Sequence, residues 1–253
     1  MTANGSTPGV KSDHYSYTVY ADPAMADSFD QVRFGGPIGS LQAEIQARVI
    51  AEFAGPLAGK TALDVGTGTG RAALIMAGAG AAVTAVDASA EMLRVARARA
   101  DHRRAGIRFE VGDAHHLAHP DGAFDVAVSL RVLMHTPGWR QCVAELCRVA
   151  RQRVIVDFPA TGSVASIQSV TRRIAAAAGG KVEAYRVFTE ATIRRELEAH
   201  GYRVTHIHRQ FVLPVAFHKR IGSRAFTEGL EGALASTGVL RLAGSPVTML
   251  AER

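Results

Sequence analysis

The stretch Leu63–Gly70, LDVGTGTG, joins a short apolar segment to three alternating glycines. The apolar residues predict a buried strand. The glycines predict a sharp turn, because a residue without Cβ lets the backbone turn tightly and approach a ligand closely. A predicted helix starts at Arg71, and its free N–H groups would face polar or anionic atoms of that ligand. The stretch therefore predicts a strand–loop–helix unit that binds a nucleotide-like cofactor.

Other nucleotide-binding sites also use glycine loops. Gly68–Ala73 matches the G-x-G-x-x-A variant of the dinucleotide-binding fingerprint, so an NAD(P)-dependent oxidoreductase stays an alternative. Two features argue against it: Asp64 stands two positions before the first glycine, and a helical segment precedes the strand. A P-loop is excluded, because no Gly-Lys-Ser/Thr follows the glycines.

Strand-like and helix-like patterns alternate around the glycine loop. Apolar runs predict strands at Thr61–Val65, Ala82–Val86, Ile107–Val111, Phe124–Ser129 and Val154–Asp157. Helical patterns cover Ser40–Phe53, Arg71–Ala79, Ser89–Arg104 and Trp139–Val149. This alternation predicts a parallel sheet with helices on both faces.

The regularity ends after Asp157. Residues 158–188 are predicted to form a cap, with a helical stretch at Val164–Ala178. Beyond it the sequence predicts, in chain order, a helix at Glu190–His200, a strand at Tyr202–Leu213, a helix at His218–Ala235 and a strand at Pro246–Ala251. We therefore predict a mobile N-terminal tail and lid at residues 1–39. A single domain at residues 40–253 would carry the cap and a second helical insertion at about 218–240.

Composition and charge limit the class of protein. The 253 residues are 47% hydrophobic and 21% charged, which is typical of a globular protein, and there is no apolar run long enough for a membrane span. The net charge of +6 comes from arginines spread along helices, without a basic run interleaved with aromatics, so we expect no nucleic-acid partner. Cys142 and Cys147 match neither a redox pair nor a zinc motif, and no secretory signal is recognisable, so a cytoplasmic location is expected. A homodimer is compatible with these features.

Four motifs occur in a fixed order: LDVGTGTGRAA from Leu63, VDAS at Val86–Ser89, GDAHHL at Gly112–Leu117, and FDVAVS, from Phe124, ahead of VLMHTP. Together they resemble the class I S-adenosylmethionine-dependent methyltransferase family. The similarity is greatest to the branch of ubiquinone/menaquinone-type and natural-product small-molecule methyltransferases. It covers roughly residues 40–157. It implies a Rossmann-like, seven-stranded, mostly parallel sheet with helices on both faces, an antiparallel last strand and a helical lid.

The resemblance also implies a cofactor site for S-adenosyl-L-methionine. In the family the glycine loop wraps the methionine part of the cofactor, here through Gly66, Thr67, Gly68 and Gly70. Asp64 would bind near the amino end of that part. An arginine of the N-terminal lid, here Arg33, would hold its carboxylate; the alternative for Arg33 is a role on the surface.

The nucleoside part of the cofactor has its own expected partners. The carboxylate of Asp87 would accept both ribose hydroxyls, and Ala88 and Met92 would line the adenine, with helix packing as the alternative for Met92. Asp113 would accept from the adenine amino group and the Ala114 N–H would contact the ring. The alternative for Asp113 is an aspartate that only bonds the backbone of its own turn.

The stretch Ser129–His135 (SLRVLMH) faces the methyl group in this family, so Ser129 is a candidate contact. His135 is the candidate general base, because its ordinary pKa lies near neutrality; the alternative is a histidine that only caps the next turn. No metal is expected, because the histidines of HHLAH lack a carboxylate at ligand spacing and Asp157 is followed by Phe158-Pro159. The absence of an Asn-Pro-Pro-aromatic motif argues against a nucleic-acid amino group as acceptor.

The predicted function is methyl transfer from S-adenosylmethionine to a small, partly hydrophobic molecule, at an oxygen, nitrogen or carbon atom. The cofactor carries the activated group, so the protein mainly supplies proximity and orientation. Apolar side chains in the lid elements suggest the hydrophobic character of the acceptor: Ile167, Val170, Ile174, Phe211, Val212, Leu213 and Phe217. A cofactor-binding protein without transfer activity and an RNA methyltransferase are further alternatives.

Overall fold

The computed structural model describes residues 20–163 and 185–253. They contain seven strands, which we number in chain order. The strands are β1 Thr61–Val65, β2 Ala82–Asp87, β3 Ile107–Val111, β4 Phe124–Ser129, β5 Ala150–Phe158, β6 Arg203–Phe211 and β7 Ser245–Glu252. The helices of the described residues are α1 Pro23–Phe34, α2 Gly36–Ala54, α3 Arg71–Gly78, α4 Ala90–His102, α5 Trp139–Val149, α6 Glu190–Ala199, α7 Val215–Ile221, α8 Arg224–Ser236 and α9 Val239–Ala243.

The seven strands form one sheet in the order β3-β2-β1-β4-β5-β7-β6. The first five pair in parallel, and β7 lies antiparallel to both β5 and β6. The predicted fold class, a Rossmann-like mostly parallel sheet with an antiparallel last strand, is confirmed.

Both faces of the sheet are covered, which explains why its central strands are continuous apolar runs. In β4, all of whose residues are buried, alternate side chains enter different cores. Val126 and Val128 pack with α2 and α3 on one face, and Ala127 packs with α5 and α6 on the other. Cys142 and Cys147 of α5 are buried in this second core, where burial raises the pKa of both thiols to about 12.

Several predicted boundaries differ from the structure. The predicted helix from Ser40 starts earlier, at Gly36, because Pro37 suits a first helical turn. The predicted helix His218–Ala235 is two helices, α7 and α8, because Gly222 ends the first in a left-handed conformation with φ of 72°. The predicted cap helix Val164–Ala178 lies outside the described residues.

The N-terminal segment is the largest difference. Within the stretch predicted to be a mobile tail and lid, residues Pro23–Phe34 form helix α1, whose N-cap Asp22 accepts from Ala24 N. No helix in the described ranges is both long and apolar enough to cross a membrane.

Candidate cofactor site

The glycine loop follows β1 and opens helix α3, as the sequence predicts. Gly66, Gly68 and Gly70 all have positive φ, at 69°, 55° and 82°. A Cβ on Gly66 would lie 2.2 Å from Val132 Cγ2, whereas one on Gly68 would meet nothing within 4 Å. The loop therefore needs glycine for its backbone conformation, and at Gly68 it leaves open space for a ligand.

Asp87, the last residue of β2, binds the glycine loop directly. Its Oδ2 accepts from Gly68 N at 2.7 Å, and its Oδ1 accepts from Ser89 N at 2.9 Å. Burial raises the pKa of this carboxyl, and the backbone hydrogen bonds oppose that rise. Each oxygen still has a lone pair for another donor, so Asp87 can position the loop and accept from a ligand hydroxyl.

Asp64 is 2% exposed and ties the loop to the start of α3. Its Oδ2 accepts from Thr67 Oγ1 at 2.6 Å and from Ala73 N at 3.0 Å. Desolvation raises the pKa of Asp64 to about 6, despite these two hydrogen bonds. A buried carboxyl with a raised pKa is typical of a functional cleft.

A cavity of about 640 Å³ opens beside the loop, a size that suits a small-molecule site. Most of the predicted site residues line it: Arg33, Asp64, Gly66, Thr67, Gly68, Asp87, Ala88, Met92, Ala114 and His135. The structure thus brings together residues from six parts of the chain. Their contacts with a cofactor stay a prediction.

Three predicted residues do not line this cavity. Gly70 faces α4, where an added Cβ would lie 3.1 Å from Ala96 Cβ. Ser129 donates to Val65 O at 3.0 Å, across β4 and β1. Their positions favour structural roles: close helix packing for Gly70 and strand pairing for Ser129.

Asp113 is the third. It accepts from His115 N at 2.9 Å and contacts His115 Nδ1 at 2.6 Å. Partial burial acts to raise its pKa, but the contacts with His115 and His116 outweigh burial and lower it. This geometry is that of a turn aspartate, the alternative that the sequence left open. The described residues hold no cluster of three His, Cys, Asp or Glu suited to a metal ion.

Helix α1 packs over the glycine loop and α4. Thr69 Oγ1 donates to Asp30 Oδ1 at 2.9 Å, and Arg99 forms an ion pair with the same carboxylate. Ser89 Oγ donates to Tyr20 O at 2.5 Å. The predicted lid is thus held by polar contacts on both sides of the cofactor loop, and its Tyr20 lines the cavity.

Arg71 is a cavity residue that the sequence reasoning missed. Its guanidinium carbon lies 3.6 Å from the Phe34 ring centroid, and its Nε is buried with no hydrogen-bond partner among the described residues. Burial lowers the pKa of this arginine, although Asp30 opposes that effect. Its position directly after the glycine loop is the sequence feature that could have indicated a contact with the cofactor. Arg71 is a second candidate, beside Arg33, for an anionic group of the cofactor.

His135 ends a short 3₁₀ turn, Leu133–His135, after β4. Its ring is buried and lies 6.3 Å from the Tyr20 ring in an edge-on arrangement. The His135 side chain therefore lies at the wall of the cavity, between the lid and the end of β4.

Comparison with known proteins agrees with this fold. Residues 63–156 match the family model of the methyltransferase domain. The chain is 40% identical over 98 residues to the ubiquinone biosynthesis O-methyltransferase of Thiobacillus denitrificans, covering 38% of this chain and 42% of that protein. It is 33% identical over 143 residues to the demethylmenaquinone methyltransferase of Deinococcus radiodurans, covering 52% and 59%. The chain thus spans about half the length of these curated relatives.

The structural comparison extends over nearly the whole chain. The magnesium protoporphyrin IX methyltransferase of Synechocystis, solved with bound S-adenosylhomocysteine, has a TM-score of 0.66 at 18% identity and covers 94% of this chain and 98% of its own. The resemblance predicted from the motifs is confirmed at this level: residues 63–156 match the methyltransferase domain family, and the chain shares the fold of a solved methyltransferase.

Proposed function

We propose that this chain is a methyltransferase that binds S-adenosylmethionine and transfers its methyl group to a small, partly hydrophobic molecule. The observation that carries the proposal is the pairing of Asp87 with Gly68. A partly buried carboxylate is bonded to the loop that opens onto a cavity, and that loop has free space at Gly68 for a ligand. The quinone and protoporphyrin methyltransferases that the chain resembles support the class of acceptor.

The residues present fit the cofactor. The orphaned Nε of Arg71 and the side chain of Arg33 offer donors to its methionine carboxylate, Asp87 offers an acceptor to its ribose, and Ala88 and Met92 offer apolar surface to its adenine. The bound cofactor would supply an activated methyl group on a sulfonium. The chain's own residues would align the acceptor, exclude water and, at His135, take a proton from it.

The topology argues against the oxidoreductase alternative. Dinucleotide-binding sheets have the strand order 3-2-1-4-5-6. Here the antiparallel strand β7 lies between β5 and β6, so the second half of the sheet is built differently. The cavity extends from the glycine loop to these strands, at Pro246 and Thr248 of β7 and His208 and Gln210 of β6. The second half of the sheet therefore borders the space beyond the cofactor site, and we assign that space to the acceptor.

The cofactor assignment is tested by calorimetry with S-adenosylhomocysteine and with NADPH, each titrated into the chain. We expect binding of S-adenosylhomocysteine only. Binding of NADPH alone would replace the proposal with the oxidoreductase alternative. Transfer is then tested with methyl-labelled S-adenosylmethionine and a panel of phenols, quinols and carboxylic acids. Cofactor binding without label transfer to any panel member would favour a binding protein without transferase activity.

We also propose that the chain works in the cytoplasm, as its cysteine usage suggests, and without a nucleic-acid partner. The charge distribution supports the second part, since several arginines are engaged in ion pairs, as in Arg94 with Asp27 and Arg148 with Glu145. A steep salt dependence of RNA binding would contradict it.

A further inference from the structure

Three neighbouring strands place polar side chains in one row at the wall of the cavity. Thr248 of β7 is paired with Asp157 of β5 on one side and with His208 of β6 on the other. All three side chains line the cavity. We call these three residues the polar row.

The residues that alternate with Asp157 and Thr248 face the opposite side of the sheet and are apolar. Val156 and Phe158 flank Asp157, and Val247 and Met249 flank Thr248; all four are fully buried in one core. The polar row therefore follows from strand alternation: its side chains face the cavity while their neighbours fill the core.

One nitrogen in the polar row has no hydrogen-bond partner among the described residues. His208 Nε2 is buried and has no hydrogen-bond partner in the described part of the chain. Burial lowers the pKa of this histidine, with Arg48 acting in the same direction, so its ring is neutral at pH 7 and can donate or accept. A buried polar atom without a partner destabilises a fold, so such an atom is expected where a ligand supplies the partner.

Asp157 provides the charged end of the row. It is 2% exposed, and its Oδ1 accepts from the backbone N of Arg131, a residue in the left-handed conformation with φ of 64°. Burial raises the pKa of Asp157, and Arg131 opposes that rise. The carboxylate therefore lies next to the end of β4, where the family resemblance places the transferred methyl group.

Apolar surface and one amide surround the row. Ile45 and Val49 of α2 line the same cavity from one side, with Phe211 and Val212 at the end of β6. Gln210, two residues along β6 from His208, donates to Gln42 O at 3.3 Å. Adjacent strands are about 4.8 Å apart, so the row from Asp157 to His208 spans roughly 10 Å. The polar row therefore lies beside apolar side chains of the cavity, and its length is similar to that of a bicyclic ring.

We propose that the polar row is the acceptor subsite that selects hydroxylated aromatic rings: one acceptor hydroxyl bonds His208 and Thr248, and a further hydroxyl donates to Asp157. The inference rests on the proposed function, since it names the acceptor class of that same site. If the polar row had only a structural role, removal of its polar atoms would lower the melting temperature. If it binds a ligand, their removal should leave the melting temperature unchanged or raise it.

The test uses two ligands of the same shape, 2-naphthol and 2-methylnaphthalene, with the chain saturated with S-adenosylhomocysteine. Dissociation constants are measured by saturation-transfer NMR. We expect the wild-type chain to prefer 2-naphthol by about tenfold, one hydrogen bond's contribution, although 2-methylnaphthalene is the more hydrophobic ligand. Equal affinity, tighter binding of 2-methylnaphthalene, or no binding of 2-naphthol would overturn the proposal.

Two variants test whether the polar row causes this preference. Thr248→Val and His208→Phe keep size and remove hydrogen-bonding atoms, and each should reduce the preference to below about threefold, with a melting temperature equal to or above that of the wild type. Thr205→Val, on the exposed part of β6 outside the cavity, is the matched control and should keep the full preference. A preference retained in both row variants, or a lowered melting temperature with unchanged preference, would show a structural row instead.

Failure of the proposed function has a different signature. It would appear as absent S-adenosylhomocysteine binding, which is measured separately. The naphthol comparison would then be repeated on the unliganded chain, where the same preference would support the row alone and its absence would overturn it.

Discussion

The cavity has two halves, the cofactor half at the glycine loop and the acceptor half at strands β6 and β7. These two halves are built in different ways. In the cofactor half, hydrogen bonds join residues close in sequence: Asp64 bonds Thr67 and Ala73, and Asp87 bonds Gly68, 19 residues away. In the acceptor half they join distant segments, as with Gln210 and Gln42, separated by 168 residues, and Lys219 and Val32, separated by 187. The cofactor half is thus a local structure that a motif can encode, whereas the acceptor half exists only after the chain has folded.

A second difference concerns hydrogen-bond satisfaction. The carboxylates of Asp64 and Asp87 have backbone and hydroxyl partners within the loop, so this half is ordered before a ligand arrives. His208 in the acceptor half has a buried nitrogen without a described partner. The comparison teaches that the carboxylates of the cofactor half are held before a ligand binds, while each half keeps one buried nitrogen for its ligand, Arg71 Nε and His208 Nε2.

The strongest test concerns His135, which lies where the two halves meet. As a general base, His135→Ala should lower turnover at saturating acceptor by a factor of about 10²–10⁴. Turnover is measured with an acceptor identified by label transfer, and cofactor affinity is measured in parallel as a control for the fold. A loss below about tenfold would assign His135 to the wall of the cavity and leave proximity and orientation as the main contributions.

The next largest effect is expected at Glu231, a side chain that holds the wall of the acceptor half in place. Glu231 of α8 accepts from Val212 N at 2.7 Å, from Leu213 N at 2.9 Å and contacts His218 Nε2 at 2.8 Å. Glu231→Ala would leave buried donors without an acceptor, and we expect it to lower the free energy of unfolding by about 2–4 kcal/mol in denaturant titrations.

The matched control is Glu228→Ala, on the same helix. Within the described residues Glu228 pairs with the exposed Arg224 alone, so its removal should change the free energy of unfolding by less than about 1 kcal/mol. Similar losses for the two variants would mean that the Glu231 contacts do not hold this wall.

In the cofactor half, Asp87→Ala should weaken S-adenosylhomocysteine binding by about 1.5–3 kcal/mol, a factor of about 10 to 150, because a charged acceptor for the ribose and the loop is lost. Calorimetry measures the affinity. Asp101→Ala, an exposed carboxylate at the end of α4, is the control. An unchanged affinity for Asp87→Ala would refute this model of the cofactor site.

The smallest effect is expected at the contact between α1 and the glycine loop. Asp30→Ala removes the acceptor of Thr69 Oγ1 and the partner of Arg99, and should weaken cofactor binding by about 0.5–1.5 kcal/mol if α1 acts as the lid. Asp27→Ala breaks only an exposed pair with Arg94 and should leave binding within about twofold. Equal effects of the two substitutions would mean that α1 does not contribute to cofactor binding.

The sequence was most informative for the first half of the chain. The order of β1 to β5, the helices between them and the positions of Asp64 and Asp87 at strand ends follow from apolar periodicity and glycine spacing, because strands buried on both faces leave continuous apolar runs. Helix α1 lies in the segment that was predicted to be a tail and lid, where no helix was predicted. Its order comes from contacts of Asp30 and Tyr20 with Thr69 and Ser89, which lie 39 and 69 residues away.

By itself, the sequence determined the glycine loop, the alternation of strands and helices and hence the class I fold, since each depends on residues close together in the chain. Tertiary structure decided which predicted residues reach the cavity. It turned Asp113 toward His115 and Ser129 toward Val65, and it placed Arg71 beside Phe34. It also aligned Asp157, Thr248 and His208 through strand register. No motif encodes that row, because the pairing of β7 with both β5 and β6 joins segments that are far apart in sequence.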